Sequence, residues 1–442
     1  MGKRLYIETF GCQMNVNDSE KIRSLLAPLG YGEASSPEDA DLVILNTCSV
    51  RAKAEDRVYA HLATYRGLKR ANRSLLLGVG GCVAQQEGER LLQRVPHLDF
   101  VFGTHTLHRI PEIVADAESG RRRVWVDILD PDERRDLFPM VTADGGVTRF
   151  VTIMQGCDNF CSYCVVPHVR GREVSRRSAD ILEEIRRLVD GGAREVTLLG
   201  QNVNSYGRKE PGELSFAALL RKVAAIDGVR RIRFTTSHPK DVSDELISCF
   251  AEIPALCSHF HLPLQAGSDR ILSLMKRGYT LDRYLSLVER LRAVRPDISL
   301  SSDIIVGFPG ETEDEFLETV DAIERIRYGD IFSFMYSPRP FTEAAALPET
   351  LTRAEKQRRL DHLQRVQREI TLQENRRLVG TVQEILIEGN SRKGGQLSGR
   401  TSSNRVVNVA APERLMGEFV MVRIIEARQT SVIGELIDQP GG

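Results

Sequence analysis

The stretch Gln155-Gly156-Cys157-Asp158-Asn159-Phe160-Cys161-Ser162-Tyr163-Cys164 follows an apolar run at residues 150–154 that is typical of a β-strand. Its three cysteines have C-x3-C-x2-C spacing, so three thiolates on one short loop can reach the same metal centre. A four-iron cluster held by cysteine alone uses four thiolates, and this loop offers three. The sequence therefore indicates a cluster in which one iron stays open to a non-protein ligand.

Length and composition indicate a multidomain globular protein. The 442 residues exceed one ordinary core, so two or three domains are expected, and 27% of the residues are charged, as in folded proteins. The formal net charge of −1 neither favours nor excludes a nucleic-acid partner. Glu8 falls where a signal peptide would have its apolar core, and no run approaches the roughly 18 apolar residues of a membrane span. We therefore expect a cytoplasmic protein with no membrane contact.

The eight cysteines are not expected to form structural disulfides in such a protein. Cys249 and Cys257 have no patterned neighbours and are predicted to be buried small apolar side chains. The other six fall into two sets of three.

The first set lies in residues 1–118, which alternate strand and helix signals and predict an open parallel α/β sheet. Strands are expected at residues 4–10, 41–47, 74–79 and 101–103, and helices from the Asn17-Asp18-Ser19-Glu20 start signature to Gly30 and over residues 52–71. Cys12, Cys48 and Cys82 each follow one of the first three strands. The carboxyl ends of parallel strands line one crevice, so these cysteines are predicted to converge as a second metal site. Any one of them alone would be an ordinary buried cysteine.

A linker with the basic run Arg121-Arg122-Arg123 is predicted at residues 119–147, followed by a core at residues 148–375. Six βα units in this core predict an incomplete (β/α)6 barrel of the TIM type, with the cysteine loop at its C-terminal face. Expected strands are 148–154, 195–199, 231–235, 259–264, 300–306 and 331–335. Expected helices are 178–190, 215–225, 243–253, 268–294 as one continuous stretch, and 312–326.

Other polar and glycine-rich segments at the strand ends surround the cysteine loop. Each alone fits ordinary turn chemistry, and together they favour a small-molecule site. They are Gly200-Gln201-Asn202, Ser237-His238-Pro239, residues 263–268, residues 305–311 and Tyr336-Ser337-Pro338-Arg339-Pro340.

The last part of the chain combines a charged helix with short alternating strands. The helix, residues 351–379, fits a solvated face that ties two domains together as well as it fits RNA contact. Residues 376–442 predict a small β-barrel with strands at 381–388, 405–409, 418–426 and 431–437. Cations and hydroxyls on its loops, at residues 391–393 and 399–405, suit phosphate contacts.

Cys157, Cys161 and Cys164, with an aromatic Tyr163 before the third, resemble the radical S-adenosylmethionine enzymes. Within that superfamily the chain is similar to the tRNA methylthiotransferases over nearly its whole length. Residues 9–15 with Asn46-Thr47-Cys48 and Gly80-Gly81-Cys82 carry the likeness, together with Ser337-Pro338-Arg339-Pro340 and a C-terminal barrel that looks like a TRAM domain, an RNA-binding module. Gly11-Cys12-Gln13-Met14-Asn15 points to the branch that forms 2-methylthio-N(6)-dimethylallyladenosine in tRNA. Phe341 and His168 depart from the pattern, which has Gly and Tyr there.

The resemblance implies a tRNA-modifying enzyme that methylthiolates carbon 2 of N(6)-dimethylallyladenosine beside the anticodon. It implies two [4Fe-4S] clusters, held by Cys12, Cys48 and Cys82 and by Cys157, Cys161 and Cys164. Two S-adenosylmethionine molecules would serve, one as methyl donor and one as radical source. An external, flavodoxin-like electron donor and a monomeric enzyme are expected.

The resemblance also implies contact residues, for each of which a turn, packing or solvated role is the alternative. The S-adenosylmethionine contacts would be Tyr163, Gln201, Asn202, Gln265, Ser268, Ile305, Val306 and Gly307. Candidate RNA contacts are Arg170, Arg172, Arg176, Arg177, Arg392, Lys393, Arg400 and Arg405.

Two other functions stay open at this point. A sister methylthiotransferase would act on threonylcarbamoyladenosine in tRNA or on an aspartate of a ribosomal protein. A non-catalytic RNA-binding protein would use the six cysteines to hold zinc.

Overall fold

A computed structural model describes residues 2–49, 53–142, 145–391 and 394–437. Six parallel strands form the N-terminal sheet in the spatial order β2-β1-β3-β4-β5-β6, which confirms the predicted open α/β sheet. The strands are β1 Lys3–Thr9, β2 Tyr31–Glu33, β3 Leu42–Thr47, β4 Leu76–Gly81, β5 Phe100–Phe102 and β6 Arg123–Trp125. The edge strand β6 lies inside the segment predicted as a linker, so part of that segment belongs to the sheet.

Helices cover both faces of this sheet because side chains alternate between the faces along each strand. On β3, Val43 and Leu45 enter one apolar cluster, and Leu42 and Ile44 enter another. The helices are α1 Gln13–Leu26, α2 Lys53–Ala71, α3 Cys82–Glu87, α4 Glu89–Arg94 and α5 Ile110–Glu118, and a further short helix, α6 Pro131–Arg134, follows β6.

Helix α1 begins four residues before the predicted start. The carbonyl of Cys12 accepts from Asn15 N at 2.9 Å and from Val16 N at 3.2 Å, so the first turn forms directly after β1. Asn17, Asp18 and Ser19 do not cap the helix; their side chains are buried within it. The start signature was misleading because these polar side chains bind other elements.

The central part holds two three-stranded parallel sheets, which together form the predicted incomplete barrel. Their orders are β11-β10-β7 and β12-β13-β14, and a parallel bridge from Ile232 to Leu256 joins them. These strands are β7 Thr148–Thr152, β10 Glu195–Leu199, β11 Arg231–Phe234, β12 His259–His261, β13 Ser299–Val306 and β14 Asp330–Met335. A short ribbon, β8 Met154–Gln155 with β9 Val174–Ser175, flanks the cysteine loop.

The barrel helices follow the predicted spans with two differences, one of which is a short helix, Val166–Arg170, that was not predicted. They are α7 Val166–Arg170, α8 Ser178–Asp190, α9 Phe216–Ala224, α10 Asp244–Glu252, α11 Asp269–Leu274, α12 Leu281–Val294 and α13 Glu313–Ile326. The predicted continuous helix is two helices, because Lys276 and Gly278 adopt positive φ angles of 57° and 70°. The Thr280 hydroxyl then caps α12 by accepting from Arg283 N.

A long helix, α14 Arg353–Arg377, leads to a closed five-stranded barrel in the order β15-β16-β17-β19-β18. This confirms the predicted small barrel, with one strand, β16, that was expected to be partly loop. The strands are β15 Val382–Asn390, β16 Leu397–Thr401, β17 Val406–Val409, β18 Phe419–Ala427 and β19 Val432–Leu436.

We call the incomplete barrel of β7 and β10–β14 the strand barrel. The C-terminal barrel docks on the N-terminal end of the strand barrel through arginines of β11. Arg233 donates to the carbonyls of Thr401 at 2.8 Å and Ser402 at 3.2 Å, and Arg231 donates to Arg400 O at 2.8 Å. Arg405 donates to Gly329 O at 2.8 Å from the other side. These bonds cover the end of the strand barrel opposite the cysteine loop.

Helix α1 joins the N-terminal sheet to the first strand of the strand barrel. Asn17 Nδ2 donates to Phe150 O at 3.1 Å, and Thr152 Oγ1 donates to Asn17 Oδ1 at 2.6 Å. Lys21 Nζ, buried in the same contact, donates to Thr152 Oγ1 at 3.0 Å. The two α/β units are therefore joined through buried polar groups. In the described part of the chain, no helix has the length and apolarity to cross a bilayer.

Candidate functional site

Cys12, Cys48 and Cys82 meet at the carboxyl edge of the N-terminal sheet, as the strand-end argument predicts. Each directly follows or lies just beyond one of three neighbouring strands, β1, β3 and β4. A hydrogen bond between the Cys12 and Cys48 thiols lowers the pKa of Cys12 to about 6, although burial opposes this. Burial raises the pKa of Cys82.

Two glycines let these strand ends approach one another. A β-carbon at Gly11 would overlap the Cys48 side chain, and one at Gly81 would overlap the backbone of Thr47. Both have positive φ angles, 119° and 91°, which favour glycine. The close packing of cysteines 12 and 48 therefore requires Gly11.

A buried amide network supports this edge. Asn15 Nδ2 donates to Asn46 Oδ1 at 3.1 Å and to Thr47 O at 3.0 Å, and Asn46 Nδ2 donates back to Asn15 O at 2.8 Å. Cys12 Sγ lies 3.4 Å from Asn15 Oδ1. The network fixes the turn that carries Cys12 against the end of β3.

The second set, Cys157, Cys161 and Cys164, lies on the loop after β8. Gly156 has a φ angle of 81°, and a β-carbon there would overlap the Arg172 carbonyl. Gly156 N donates to Gln201 Oε1 at 2.6 Å, and Cys157 N donates to Gly171 O at 3.2 Å. Burial raises the pKa of Cys157 and Cys164 to about 12. Such thiols become thiolates when a cation binds them.

Arg277 supplies a positive charge to this second set. Its guanidinium is 4% exposed and donates to Cys161 Sγ at 3.3 Å, and it also donates to Pro263 O at 2.8 Å. His238 Nε2 lies 4.0 Å from the same sulfur, and burial lowers the pKa of His238 far below its ordinary value, so its imidazole is neutral. Sequence reasoning missed Arg277 because the segment was predicted to be mid-helix; Gly278 was the signal of a turn there.

Arg170 supplies the corresponding charge to the first set. It lies on α7, six residues beyond Cys164, and is 4% exposed. Arg170 Nη2 donates to Asp18 Oδ2 at 3.0 Å. Its charge opposes the effect of burial on the pKa of Cys82. A side chain of the strand barrel therefore serves the cysteines of the neighbouring sheet.

Among the described residues, no three His, Cys, Asp or Glu side chains surround a single metal ion. The thiolates of a four-iron cluster need not converge in that way, because each binds a different iron. Two sets of three sulfurs, each beside a buried arginine, suit anionic clusters.

The predicted S-adenosylmethionine contacts are spread around the cysteine loop. Asn202 Oδ1 and Gln265 Oε1 are buried without a partner among the described residues, although Asn202 Nδ2 donates to Asp241 at 2.8 Å. Ser268 Oγ donates to Glu315 Oε1 at 3.3 Å, and Tyr163 OH accepts from Arg277 at 3.4 Å. Two acceptor oxygens are thus left for a ligand.

The remaining predicted contacts, Ile305, Val306 and Gly307, lie at the C-terminal end of strand β13. Val306 is fully buried in the outer core, whereas Ile305 is half-buried on the other face of the strand. Gly307 N donates to Glu311 Oε2 at 2.7 Å, and its φ angle is 70°. Of the two neighbouring apolar residues, only Ile305 can present its side chain to the barrel interior.

The predicted RNA contacts divide between surface and interior. Arg170 and Arg176 are buried and paired with Asp18 and Glu184, so the expectation that they meet an RNA backbone does not fit their positions. Arg172 and Arg177 have exposed side chains, paired with Asp158 and Asp136.

On the loops of the C-terminal barrel, the predicted RNA contacts Arg400 and Arg405 also have partners within the protein. Arg400 is paired with Glu388 at 3.3 Å, and Arg405 binds the strand barrel, as described above. Arg392 and Lys393 lie outside the described residues.

Curated relatives match the chain from end to end. A protein from Geobacter sulfurreducens, tRNA-2-methylthio-N(6)-dimethylallyladenosine synthase, is 60% identical over 439 residues, which are 99% of this chain and 98% of the relative. A protein of the same name from Geobacter metallireducens is 62% identical over 434 residues, with 98% of each chain covered. The chain belongs to the tRNA-2-methylthio-N(6)-dimethylallyladenosine synthase family.

Three family descriptions match separate segments of this chain. Uncharacterized protein family UPF0004 matches residues 4–103, the Radical SAM superfamily matches residues 151–323, and the TRAM domain matches residues 376–437. The three segments correspond to the parallel sheet, the strand barrel and the closed C-terminal barrel.

Solved structures share the fold of this synthase-family chain at low sequence identity. A radical S-adenosylmethionine methyltransferase, TsrM from Kitasatospora setae, has a TM-score of 0.60 at 16% identity, covering 78% of this chain and 75% of that one. The cobalamin-dependent S-adenosylmethionine radical enzyme OxsB has a TM-score of 0.53 at 14% identity, covering 83% and 56%. These likenesses support the α/β architecture.

Proposed function

We propose that this chain methylthiolates carbon 2 of N(6)-dimethylallyladenosine beside the anticodon of tRNA. The observation that carries the proposal is the presence of two separate three-cysteine sites in a chain whose relatives share its full length. One site lies on the N-terminal sheet and the other lies at the mouth of the strand barrel. The reaction must both activate a C–H bond and insert sulfur, and two separate sites can each carry out one of these tasks.

The residues present fit two four-iron clusters. Each site offers three sulfurs, which leaves one iron per cluster without a protein ligand. Cys12, Cys48 and Cys82 would hold one cluster and Cys157, Cys161 and Cys164 the other. When bound, the clusters and two S-adenosylmethionine molecules supply the electron, the carbon-centred radical, the methyl group and the inserted sulfur.

The chain's own groups position these components. Gln201 fixes the backbone of Gly156 at the start of the cysteine loop. Arg277 donates to Cys161 and offsets the negative charge of a thiolate set. The unpaired oxygens of Asn202 and Gln265 suit the ammonium and hydroxyl donors of S-adenosylmethionine. Tyr163, Ser268, Ile305 and Gly307 line the same approach, and Val306 acts through packing.

The remaining assignments rest on the same argument. We place domain limits at residues 125, 147 and 375, so that the edge strand β6 belongs to the N-terminal domain. The RNA contacts are assigned to the exposed cations Arg172 and Arg177, together with Arg392 and Lys393 outside the described residues. A cytoplasmic monomer that takes electrons from a flavodoxin-like protein completes the proposal. The target base must leave its stack, which costs little in an unpaired loop.

Anaerobic reconstitution followed by reaction with dimethylallyl-modified tRNA tests the function. Nucleoside mass spectrometry should find the methylthio derivative of that adenosine. Product on threonylcarbamoyladenosine instead would identify a sister activity. A colourless protein that contains zinc in place of about eight iron atoms per chain would contradict the proposed enzyme activity.

A further inference from the structure

Three exposed ring-bearing side chains form an aromatic rim beside the cysteine loop: Phe160, His168 and Phe341. The ring centroids of His168 and Phe341 are 5.9 Å apart, and those of Phe160 and His168 are 6.5 Å apart. Phe341 is 67% exposed and Phe160 is 40% exposed. A contiguous patch of exposed rings often marks a site that binds another molecule.

The backbone at Phe341 favours a different residue. Residues 339–342 form a turn closed by Thr342 N donating to Arg339 O at 3.3 Å, with Pro340 second and Phe341 third. The φ angle of Phe341 is 68°, which is the conformation that glycine or asparagine adopts at the third position of a type II turn. Phe160, also bulky, has a φ angle of 44°. Two large rings are therefore held where the backbone resists them, which points to a use for the rings.

The rim lies at the mouth of the strand barrel. Ala344 N donates to Ser162 O at 2.8 Å, which ties the segment after Phe341 to the cysteine loop. Phe160 itself lies between Cys157 and Cys161. The rim therefore borders the cysteine loop.

A cation accompanies the rings. The Arg172 guanidinium lies 5.5 Å from the Phe160 ring centroid, and its side chain is 63% exposed. Lys209 is exposed nearby and pairs with Asp158, as Arg172 does. Aromatic faces interleaved with cations are the surface that single-stranded nucleic acids bind, since bases stack on rings and phosphates pair with cations.

We propose that the aromatic rim stacks one unpaired nucleobase of the RNA loop, next to the adenosine that enters the barrel. Phe341 provides the exposed face, His168 supports it from behind, and Phe160 with Arg172 extends the surface. This inference rests on the proposed function and locates how the loop is held open around the target.

The test uses reconstituted full-length protein and a synthetic anticodon stem-loop hairpin containing dimethylallyladenosine. 2-Aminopurine replaces the loop base on either side of the target in turn, and its fluorescence falls when it stacks on a ring. We expect the wild type to quench one of the two probes. Phe341→Gly should lose most of that quenching and bind the hairpin about 5- to 150-fold more weakly by anisotropy, the range for one base–ring stack.

The controls separate stacking from folding. Phe341→Gly suits the turn, so its melting temperature and iron content should equal or exceed those of the wild type. Phe341→Trp should keep the quenching. Leu317→Ala, which truncates an exposed apolar side chain on α13, should change neither binding nor fluorescence.

Two results would overturn the inference. Equal binding and quenching by wild type and Phe341→Gly, with methylthiolation intact, would contradict the stacking role of the aromatic rim and leave the proposed function unaffected. If the wild type neither binds nor modifies the hairpin, both the stacking role and the proposed function are wrong.

Discussion

Arg170 and Asp18 form a 3.0 Å ion pair that joins the strand barrel to the first helix of the N-terminal sheet. Both side chains are buried, and they are 152 residues apart in sequence. The charge of Arg170 acts to lower the pKa of both Cys12 and Cys82, so the pair lies beside the first cysteine site.

Arg170→Gln should lower the free energy of unfolding by about 3 kcal/mol, because Asp18 would stay buried without a cation. Urea denaturation followed by circular dichroism measures the change. Arg177→Gln, which breaks an exposed pair with Asp136, should cost at most about 0.5 kcal/mol. Equal stability of the two variants would show that the buried pair contributes nothing.

Cys12→Ala and Cys157→Ala should have different effects. Each should reduce iron from about eight to about four atoms per chain. We expect Cys12→Ala still to cleave S-adenosylmethionine while forming no methylthio product, and Cys157→Ala to do neither. Chromatography of 5′-deoxyadenosine and mass spectrometry of the nucleosides distinguish the two. Normal product from Cys12→Ala would exclude the assigned role of the first site.

Arg277→Gln should lower the reduction potential of the cluster on Cys157, Cys161 and Cys164. The guanidinium stabilises the more negative, reduced state, so its removal favours oxidation. A charge-assisted hydrogen bond corresponds to a shift on the order of 60 mV. Redox titration monitored by electron paramagnetic resonance measures it, with Arg290→Gln, which breaks an exposed pair with Asp244, as the control. An unchanged potential would mean that Arg277 has only a packing role.

Arg233→Met should loosen the C-terminal barrel. It removes the bonds to Thr401 and Ser402 and leaves Glu195 without its 3.0 Å partner, a loss of about 3 kcal/mol. Hydrogen exchange should accelerate at residues 399–405. Arg221→Ala, which breaks an exposed pair with Glu252 away from the C-terminal barrel, should leave exchange in that loop unchanged. Identical exchange in both variants would contradict the docking role.

Much of the architecture follows from the sequence because it depends on local pattern. The strand β10 and the helix α8 have their predicted bounds, and Cys12, Cys48 and Cys82 converge because parallel strands end at one edge. Burial of Cys249 and Cys257 also matches the prediction.

The positions of cations could not be predicted in the same way. Arg170 and Arg172 are two residues apart in one basic segment, yet one is buried on Asp18 and the other is exposed. Which acid meets which arginine is set by the packing of distant elements, and no local pattern records it. Arg405 was misjudged for the same reason, because its partner is a backbone carbonyl of the strand barrel.

The docking of Thr401 and Ser402 on Arg233 has a kinetic consequence. With that end of the strand barrel covered, small molecules and RNA approach the cysteine loop from the same side. A nucleobase resting on Phe341 would then obstruct whatever follows it, so we expect compulsory-order addition, with S-adenosylmethionine first and RNA second. Saturating RNA should appear as substrate inhibition that added S-adenosylmethionine relieves.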